Sequence, residues 1–352
     1  MDDANTIAKI VLVGVRKPDI SGSTLIFREI ERSLRSDARF EVAVVDLSYI
    51  RGTGIKGMRL YAEKMVEAFK CSRNADAMLL FTIGSGLLWT LPPFNFIARI
   101  TGSKFMVRCT GGTAHSHGNA MRQWFVRQWL CGADLFMVET DLLMKNALRV
   151  GLDRTNATPN GRHLSKIVRA AHEYTGRWVM ISRLLPTKGV FEAVAAFRKM
   201  PRMTLDLVGP LDGIRETDLD LPTNVKWLGP RPSDEISGLL QDYDGFVFPT
   251  YYPTEGHAGV IIEALAAGLP VVSTSYRSIP ELIDDTCGIL VPTKDVDAIV
   301  EAVDRIDRDP ELRMRLVNGA ISRSKTFDWE ILNVRFHQLI LDVINKEGGP
   351  KI

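Results

Sequence analysis

Two glutamates, Glu255 and Glu263, stand eight positions apart in the run TEGHAGVIIEALAAGLPVVST, Thr254 to Thr274. The first carboxylate lies in a Gly-containing turn, and the second falls one to two turns into the apolar, Ala-rich segment GVIIEALAAG. If that segment is helical, Glu255 stands at its mouth and Glu263 projects from its first turns. The backbone amides of His257, Ala258, Gly259 and Val260 lie between them, at the end where a helix offers unpaired N–H groups to anions. A phosphate flanked by polyhydroxylated groups suits that geometry. The stretch therefore has the pattern of a sugar-nucleotide site, in which His257 either touches the ligand or packs beneath the loop.

A second cluster precedes it. In ISRLLPTKG, Ile181 to Gly189, Arg183 and Lys188 flank a Pro-containing turn between an apolar run and a helical one. Two cations at the carboxyl end of a strand can clamp a diphosphate, Arg through its planar fork and Lys as a point charge. Taken alone, the turn could equally be a solvated loop with incidental bases. Its expected position at the same sheet edge as the glutamates favours the clamp.

The elements that must carry these residues alternate throughout the chain. IAKIVLVGV reads as a strand, and SGSTLIFREIERSLR as a helix from the spacing of Leu25, Ile26, Ile30 and Leu34. FEVAVVDLS, AMLLFTIG, KFMVRCT and ADLFMVET continue the strands, with MRLYAEKMVEAFKC a helix between the first two. TNATPNGRHLSK is turn-rich and lacks strong periodicity. A second series follows: RWVMISRL, TLDLVGP, NVKWLGP, GFVFPT, LPVVST and CGILVP as strands, with VFEAVAAFRKM, DEISGLLQDY and GVIIEALAAG as helices. Strand–helix alternation implies parallel sheets. The expected architecture is α/β, with two doubly wound Rossmann-like domains facing a ligand cleft. Boundaries are placed at 1–165, 175–325 and a C-terminal helix over 326–352 that packs back across the junction.

A length of 352 residues suits two domains, and 45% hydrophobic with 24% charged residues is ordinary for a globular chain. The four cysteines are scattered, which argues against a disulfide framework or a zinc site and for a reducing cytosol. The N-terminus starts acidic and runs into a strand, unlike a signal peptide. From Ala77 to Ala98 no residue is charged, but Gly84, Gly86 and Pro92-Pro93 punctuate the stretch, so a strand, a turn and a Pro-interrupted helix fit better than a membrane span.

The net charge of +2 conceals an asymmetry. Residues 1–170 carry 24 Lys/Arg against 15 Asp/Glu, whereas residues 171–352 carry 20 against 27. No acidic residue occurs between Asp76 and Asp134, an interval holding Arg99, Lys104, Arg108, Arg122 and Arg127 together with Trp89, Phe94, Phe96, Trp124, Phe125 and Trp129. Two readings stand. The interval is a basic, aromatic face for an anionic partner, either a phospholipid surface or a lipid-phosphate substrate. Alternatively, the aromatics are core and the bases solvated.

These residues together carry a family resemblance. TEGHAGVIIEALAAGLPVVST resembles the E-x7-E signature of glycosyltransferase family 4, the retaining, nucleotide-sugar-dependent enzymes of GT-B fold. SRLLPTKG is similar to that family's R…K turn, and LDLVGP, NVKWLGP, GFVFPTYYPTEG, SIPELI and GILVP follow in the family's order. In the first half, DISGSTLIFREI is similar to the family's glycine turn, and ADLFMVET with TPNGRH to its closing strand and linker. The resemblance implies that Glu263 accepts hydrogen bonds from the ribose hydroxyls and Glu255 from hydroxyls of the transferred sugar. It implies that the amides from Ala258 to Val260, with Arg183 and Lys188, hold the diphosphate. Gly22 and Ser23 would let the first domain approach it. No metal or other cofactor is expected, since fixed cations and amides can stabilise a leaving diphosphate.

The chain departs from the family at one place. Where many members carry His-Gly, KFMVRCT is followed by Gly111-Gly112, leaving His115 or His117 to reach the same space from the loop. Gly84-Ser85-Gly86 resembles half a dinucleotide fingerprint without the third glycine or a helix N-terminus, and reads as a turn. Asp218-Leu219-Asp220 and Asp242-Tyr243-Asp244 each spell DxD without a plausible metal context.

The resulting expectation is a glycosyltransferase acting on a glycan or lipid-linked acceptor in cell-surface polysaccharide or glycolipid synthesis. It would be cytoplasmic, with peripheral attachment to the inner face of the membrane as the corollary of the basic interval, and nucleic acid is no expected partner. Two alternatives remain open at this level: an epimerase or hydrolase of sugar nucleotides, and a non-catalytic nucleotide- or glycan-binding partner.

Overall fold

The computed structural model describes residues 7–16, 22–48, 55–112, 118–164 and 173–346. The chain divides into two compact units, Met1–Pro159 with Leu332–Ile352, and Asn160–Ile331.

The first unit contains β1 (Ala8–Gly14), α1 (Gly22–Ser36), β2 (Phe40–Asp46), α2 (Ile55–Ser72), β3 (Ala77–Ile83), α3 (Leu87–Thr101), β4 (Lys104–Thr110), α4 (Ala120–Leu130), β5 (Leu135–Val138), α5 (Asp141–Arg149) and β6 (Thr155–Ala157). Its six strands are parallel in the order β2-β1-β3-β4-β5-β6. Apart from β6, the strand sequences are largely apolar runs, as a parallel sheet covered on both faces requires. AMLLFTI of β3, for example, is buried at every position but the last. Helix starts follow local chemistry: Asn119 accepts from the Arg122 amide at 3.0 Å to open α4, and Thr140 from the Leu143 amide at 3.1 Å to open α5.

The second unit contains β7 (Arg177–Ile181), α6 (Val190–Arg198), β8 (Thr204–Val208), β9 (Val225–Gly229), α7 (Ile236–Leu239), β10 (Gly245–Phe248), α8 (Gly259–Ala266), β11 (Val271–Thr274), β12 (Gly288–Val291), α9 (Val296–Arg308) and α10 (Pro310–Ser324). Its strands are parallel in the order β12-β11-β10-β7-β8-β9. The chain thus winds outward from β7 through β8 to β9, then returns to pair β10 with the other side of β7. Loops leaving the carboxyl ends of β7 and β10 consequently diverge at a topological switch point, the place where open α/β sheets hold ligands. Trp178, Tyr243, Phe246 and Phe248 are among the largest fully buried side chains of this unit's core.

Both expected Rossmann-like sheets are present. The strand missing from the sequence reading is β6, only three residues long and made of Thr, Asn and Ala, with no apolar run to announce it. DEISGLLQDY forms only the single turn of α7 followed by a 3-10 turn over Leu240–Asp242. The glycine turn at residues 84–86 does lead into a helix, since α3 starts at Leu87, and Pro92 and Pro93 are accommodated within it.

The first unit ends at Pro159 rather than near residue 165 because the next residues pair with the second unit. The Arg162 amide donates to Phe327 O at 3.0 Å, and Arg162 O accepts from the Trp329 amide at 2.9 Å. The last helix, α11 (Trp329–Asn345), crosses from the second unit into the first. Within the first unit, His337 on α11 meets Ser33 at 2.9 Å through Nε2 and Asp37 at 2.7 Å through Nδ1.

Candidate functional site

The site is built from the two loops at the switch point of the second unit. After β7 the chain makes a single 3-10 turn, Pro186–Lys188, that ends at Gly189 with φ +81°. A Cβ at Gly189 would lie 2.2 Å from Pro249 O, so only glycine lets this turn press against the loop leaving β10. The two loops are then joined by the Tyr251 amide donating to Thr187 O at 2.8 Å. This contact delivers Lys188 to Glu255: Nζ donates to Oε1 at 2.9 Å and Oε2 at 2.7 Å. The Thr250 hydroxyl donates to Oε2 at 2.6 Å. The Lys188 ammonium also sits over the rings of Tyr252 at 4.7 Å and Phe248 at 5.2 Å. Glu255 is only 6% exposed, and this cation and hydroxyl are what its oxygens meet inside the protein.

Helix α8 follows. Ala258 occupies its N-cap and supplies no side-chain hydrogen bond, and no acidic residue lies in its first turn. The helix amides therefore begin without a side-chain acceptor over them. Most of the helix is buried, but Gly259, Val260 and Glu263 are partly exposed. Their i, i+3 and i+4 relation puts them on one face, with Glu263 the only charged residue in GVIIEALA.

Glu263 meets a side chain that sequence reasoning did not single out. Arg162 Nε donates to Glu263 Oε1 at 2.6 Å, and its Nη1 donates to Gly161 O at 2.9 Å. A Cβ at Gly259 would lie 1.6 Å from Arg162 Nη2, so the guanidinium fills the room that the glycine leaves. The pair spans 101 residues, and no spacing rule links such distant positions.

Arg183 and Lys188 stand in different surroundings. Arg183 is more than half exposed and bonds Asp212 Oδ2 at 2.8 Å through Nη1. Tyr252 connects the two. Hydrogen bonding with the Thr254 side chain lowers its phenol below the ordinary tyrosine range, with Arg183's hydrogen bond and the charges of Arg183 and Lys188 adding to the effect against a burial penalty. Thr250 and Tyr252 were missed because hydroxyls in a loop carry no distinguishing pattern.

His257 is 8% exposed and packs edge-on to Phe327 with ring centroids 5.7 Å apart. Its Nε2 lies 3.7 Å from Glu281 Oε2, and neither ring nitrogen makes a hydrogen bond among the described residues.

The remaining expected positions fall in the first unit. Gly22 and Ser23 open α1, where a Cβ on Gly22 would meet no atom within 4 Å. Gly111, just past β4, has φ +92°, a conformation that a histidine side chain rarely adopts, so a simple Gly-to-His equivalence does not hold there. His115 and His117 lie outside the described residues.

Three of the four DxD aspartates, Asp218, Asp220 and Asp244, have protein partners. Asp218 caps its own turn with Arg215, and Asp220 bonds Arg198 at 2.9 Å. Asp244 accepts from the Thr175 amide at 2.9 Å and the Arg177 amide at 3.0 Å. Among the described residues no group of three or more potential metal ligands occurs.

The aromatics of the basic interval divide between core and surface. Phe94 is core, whereas Trp89, Phe96 and Trp124 are 74%, 60% and 60% exposed. Trp89, Phe96 and Ile100 recur along one face of α3, and Met121 and Trp124 along the outside of α4, which packs against α3. Arg108 does not belong to this face. It is 2% exposed, bonds Thr158, and lies 5.7 Å from the Phe336 ring centroid. Burial lowers its pKa to about 10 against the opposing charge of Glu139. Among the described residues no helix is long and apolar enough to cross a membrane.

Comparison with known proteins is consistent with this geometry. Residues 170–323 match the family described as "Glycosyl transferases group 1". The chain is similar to the putative colanic acid biosynthesis glycosyltransferase WcaL of Escherichia coli (strain K12), 31% identical over 179 residues that cover 46% of this chain and 44% of that protein. It is also 31% identical over 176 residues to the amylovoran biosynthesis glycosyltransferase AmsK of Erwinia amylovora, covering 46% and 43%. The matched region thus spans less than half the length of these relatives. Among solved structures, Anabaena Alr3699/HepE in complex with UDP superposes with a TM-score of 0.77 at 16% identity, covering 95% of this chain and 100% of that one. That likeness places the fold among the GT-B structures with two Rossmann-like domains.

Proposed function

We propose that the chain is a glycosyltransferase that takes a sugar from a nucleoside diphosphate donor held at the switch point of its second unit. The observation that carries this reading is the Glu255–Lys188 pair beside the uncapped start of α8, with Glu263 on the same helix face. Glu263 accepts from the ribose, and the amides from Ala258 to Val260 meet the diphosphate, with Arg183 free to turn from its exposed Asp212 contact towards it. Glu255, with three hydrogen bonds already made to its oxygens, keeps acceptor capacity for a sugar hydroxyl. Fixed cations and amides of this kind stabilise the charge that develops on a leaving diphosphate. The glutamate spacing and the Arg183/Lys188 turn support assignment to the retaining enzymes of family 4.

The acceptor is a glycan or lipid-linked saccharide of surface-polysaccharide or glycolipid synthesis, as the names of the colanic acid and amylovoran relatives suggest. The exposed Trp89, Phe96 and Trp124 support docking of the first unit on an anionic membrane surface. Beside them, a groove of about 590 Å³ is lined by Leu88, Met121, Arg122 and Phe125, apolar walls with one cation that suit a lipid phosphate.

A thermal-shift screen of UDP-, GDP- and ADP-sugars, followed by turnover with and without saccharide acceptors, tests the assignment. One donor class should raise the melting temperature, by mass action, and be consumed rapidly only with an acceptor. Rapid consumption without any acceptor would turn the assignment to a hydrolase or epimerase. Binding with no turnover across the panel would turn it to a non-catalytic partner.

A further inference from the structure

Arg162, Gly259 and Glu263 form one constellation from two distant pieces of sequence. The backbone of Arg162 is fixed on both sides, by Phe327 O and the Trp329 amide, so its side chain starts from a defined place. The side chain then does two things at once. It bonds Glu263 Oε1 at 2.6 Å through Nε, and it lays Nη2 across the first residue of α8, where any Cβ would collide at 1.6 Å. Both side chains of the ion pair are about three-quarters buried, which makes the contact directional rather than a diffuse surface attraction. A carboxylate that must accept two vicinal hydroxyls needs a fixed plane, and an unanchored Glu on a helix samples several rotamers.

We propose that Arg162 is a positioning residue for donor recognition: it locks the plane of Glu263 so that this carboxylate reads the ribose hydroxyls, and Gly259 is glycine to admit it. The inference rests on the reading of Glu263 as the ribose acceptor. It makes the enzyme's preference for ribo- over deoxyribonucleotides depend on a residue placed to act through Glu263.

The test is calorimetric titration of the full chain with UDP and GDP and with their 2′-deoxy analogues, for wild type, Arg162→Gln, Arg162→Lys, Gly259→Ala and the double variant Arg162→Gln/Gly259→Ala. Wild type should prefer the ribonucleotide by about tenfold or more, the worth of a hydrogen bond to a charged group. Arg162→Gln should collapse that ratio towards one, and Arg162→Lys should restore part of it. Gly259→Ala should mimic Arg162→Gln, and adding it to Arg162→Gln should cost little more, because the guanidinium it would displace is already gone. An unchanged ratio in Arg162→Gln, even with weaker overall binding, would overturn the proposal, since that is the signature of a phosphate contact or a general structural role. A wild type that binds a nucleoside diphosphate without preferring ribose would overturn the ribose role of Glu263 and this proposal with it. A wild type that binds neither nucleotide here and no nucleotide sugar in the thermal-shift screen would remove the donor site itself.

Discussion

In the second unit two charged pairs stand at the carboxyl edge of the sheet, Lys188 with Glu255 and Arg162 with Glu263, above a largely apolar core that also buries Asp244. In the first unit, built on another six-stranded parallel sheet, several charges are turned inward. Arg108 is buried with Thr158 and near Glu139, Glu31 is held by Arg16 and Arg35, and Asp37 pairs with His337. Its large apolar side chains, Trp89, Phe96 and Trp124, are turned outward. The strand layout therefore does not decide what a unit does. The charges at the switch-point edge of the second unit are partly accessible, whereas those inside the first unit join its own elements.

The largest effect should come from Lys188→Ala. It strands the Glu255 carboxylate in a site only 6% exposed, and breaking a buried pair in this way costs about 3–5 kcal/mol. Equilibrium denaturation should show it as a lowered midpoint. Arg183→Ala, which removes an exposed contact to Asp212, should lower stability by less than about 1 kcal/mol while weakening donor binding. Equal stability losses in the two variants would erase the distinction drawn between them.

A smaller effect is expected on the apolar face of the first unit. Trp89→Ser with Trp124→Ser should reduce co-sedimentation with phosphatidylglycerol vesicles several-fold, because each indole buries apolar area on a membrane. Donor binding should be unaffected. Wild type that shows no preference for anionic over neutral vesicles would count against the face altogether.

The smallest effect concerns the inward charges. Burial lowers the His337 pKa below its ordinary 6.5, outweighing the neighbouring Asp37, and Arg39 adds to the lowering. The unfolded chain therefore takes up this proton first. The stability it contributes is complete above about pH 6.5 and drains away as pH falls through the lowered folded value. Melting temperature should accordingly fall between pH 7 and pH 5 in wild type, and less steeply in His337→Gln. Parallel pH profiles for the two proteins would show that His337 is not responsible.

Much of this was legible in the residues because local pattern and chemistry coincide. Apolar runs of five to seven residues announced most strands, and Glu255 and Glu263 announced themselves because both flank the start of an apolar helix. The strand β6 escaped because its three residues, Thr155 to Ala157, have no apolar pattern and are defined only by pairing with β5. Arg162 escaped because its role depends on tertiary contacts with Phe327, Gly259 and Glu263. The partition of the basic interval could not be read either, since Arg108 on a buried strand and Arg99 on an exposed helix turn look alike until the sheet assigns their faces.

The most direct test of the donor site is calorimetric titration of wild type and Glu263→Ala with UDP and GDP. One nucleotide should bind wild type and bind the variant about tenfold to a hundredfold more weakly, the loss expected when a charged acceptor is removed from the ribose. Equal affinity in the two proteins would contradict the account.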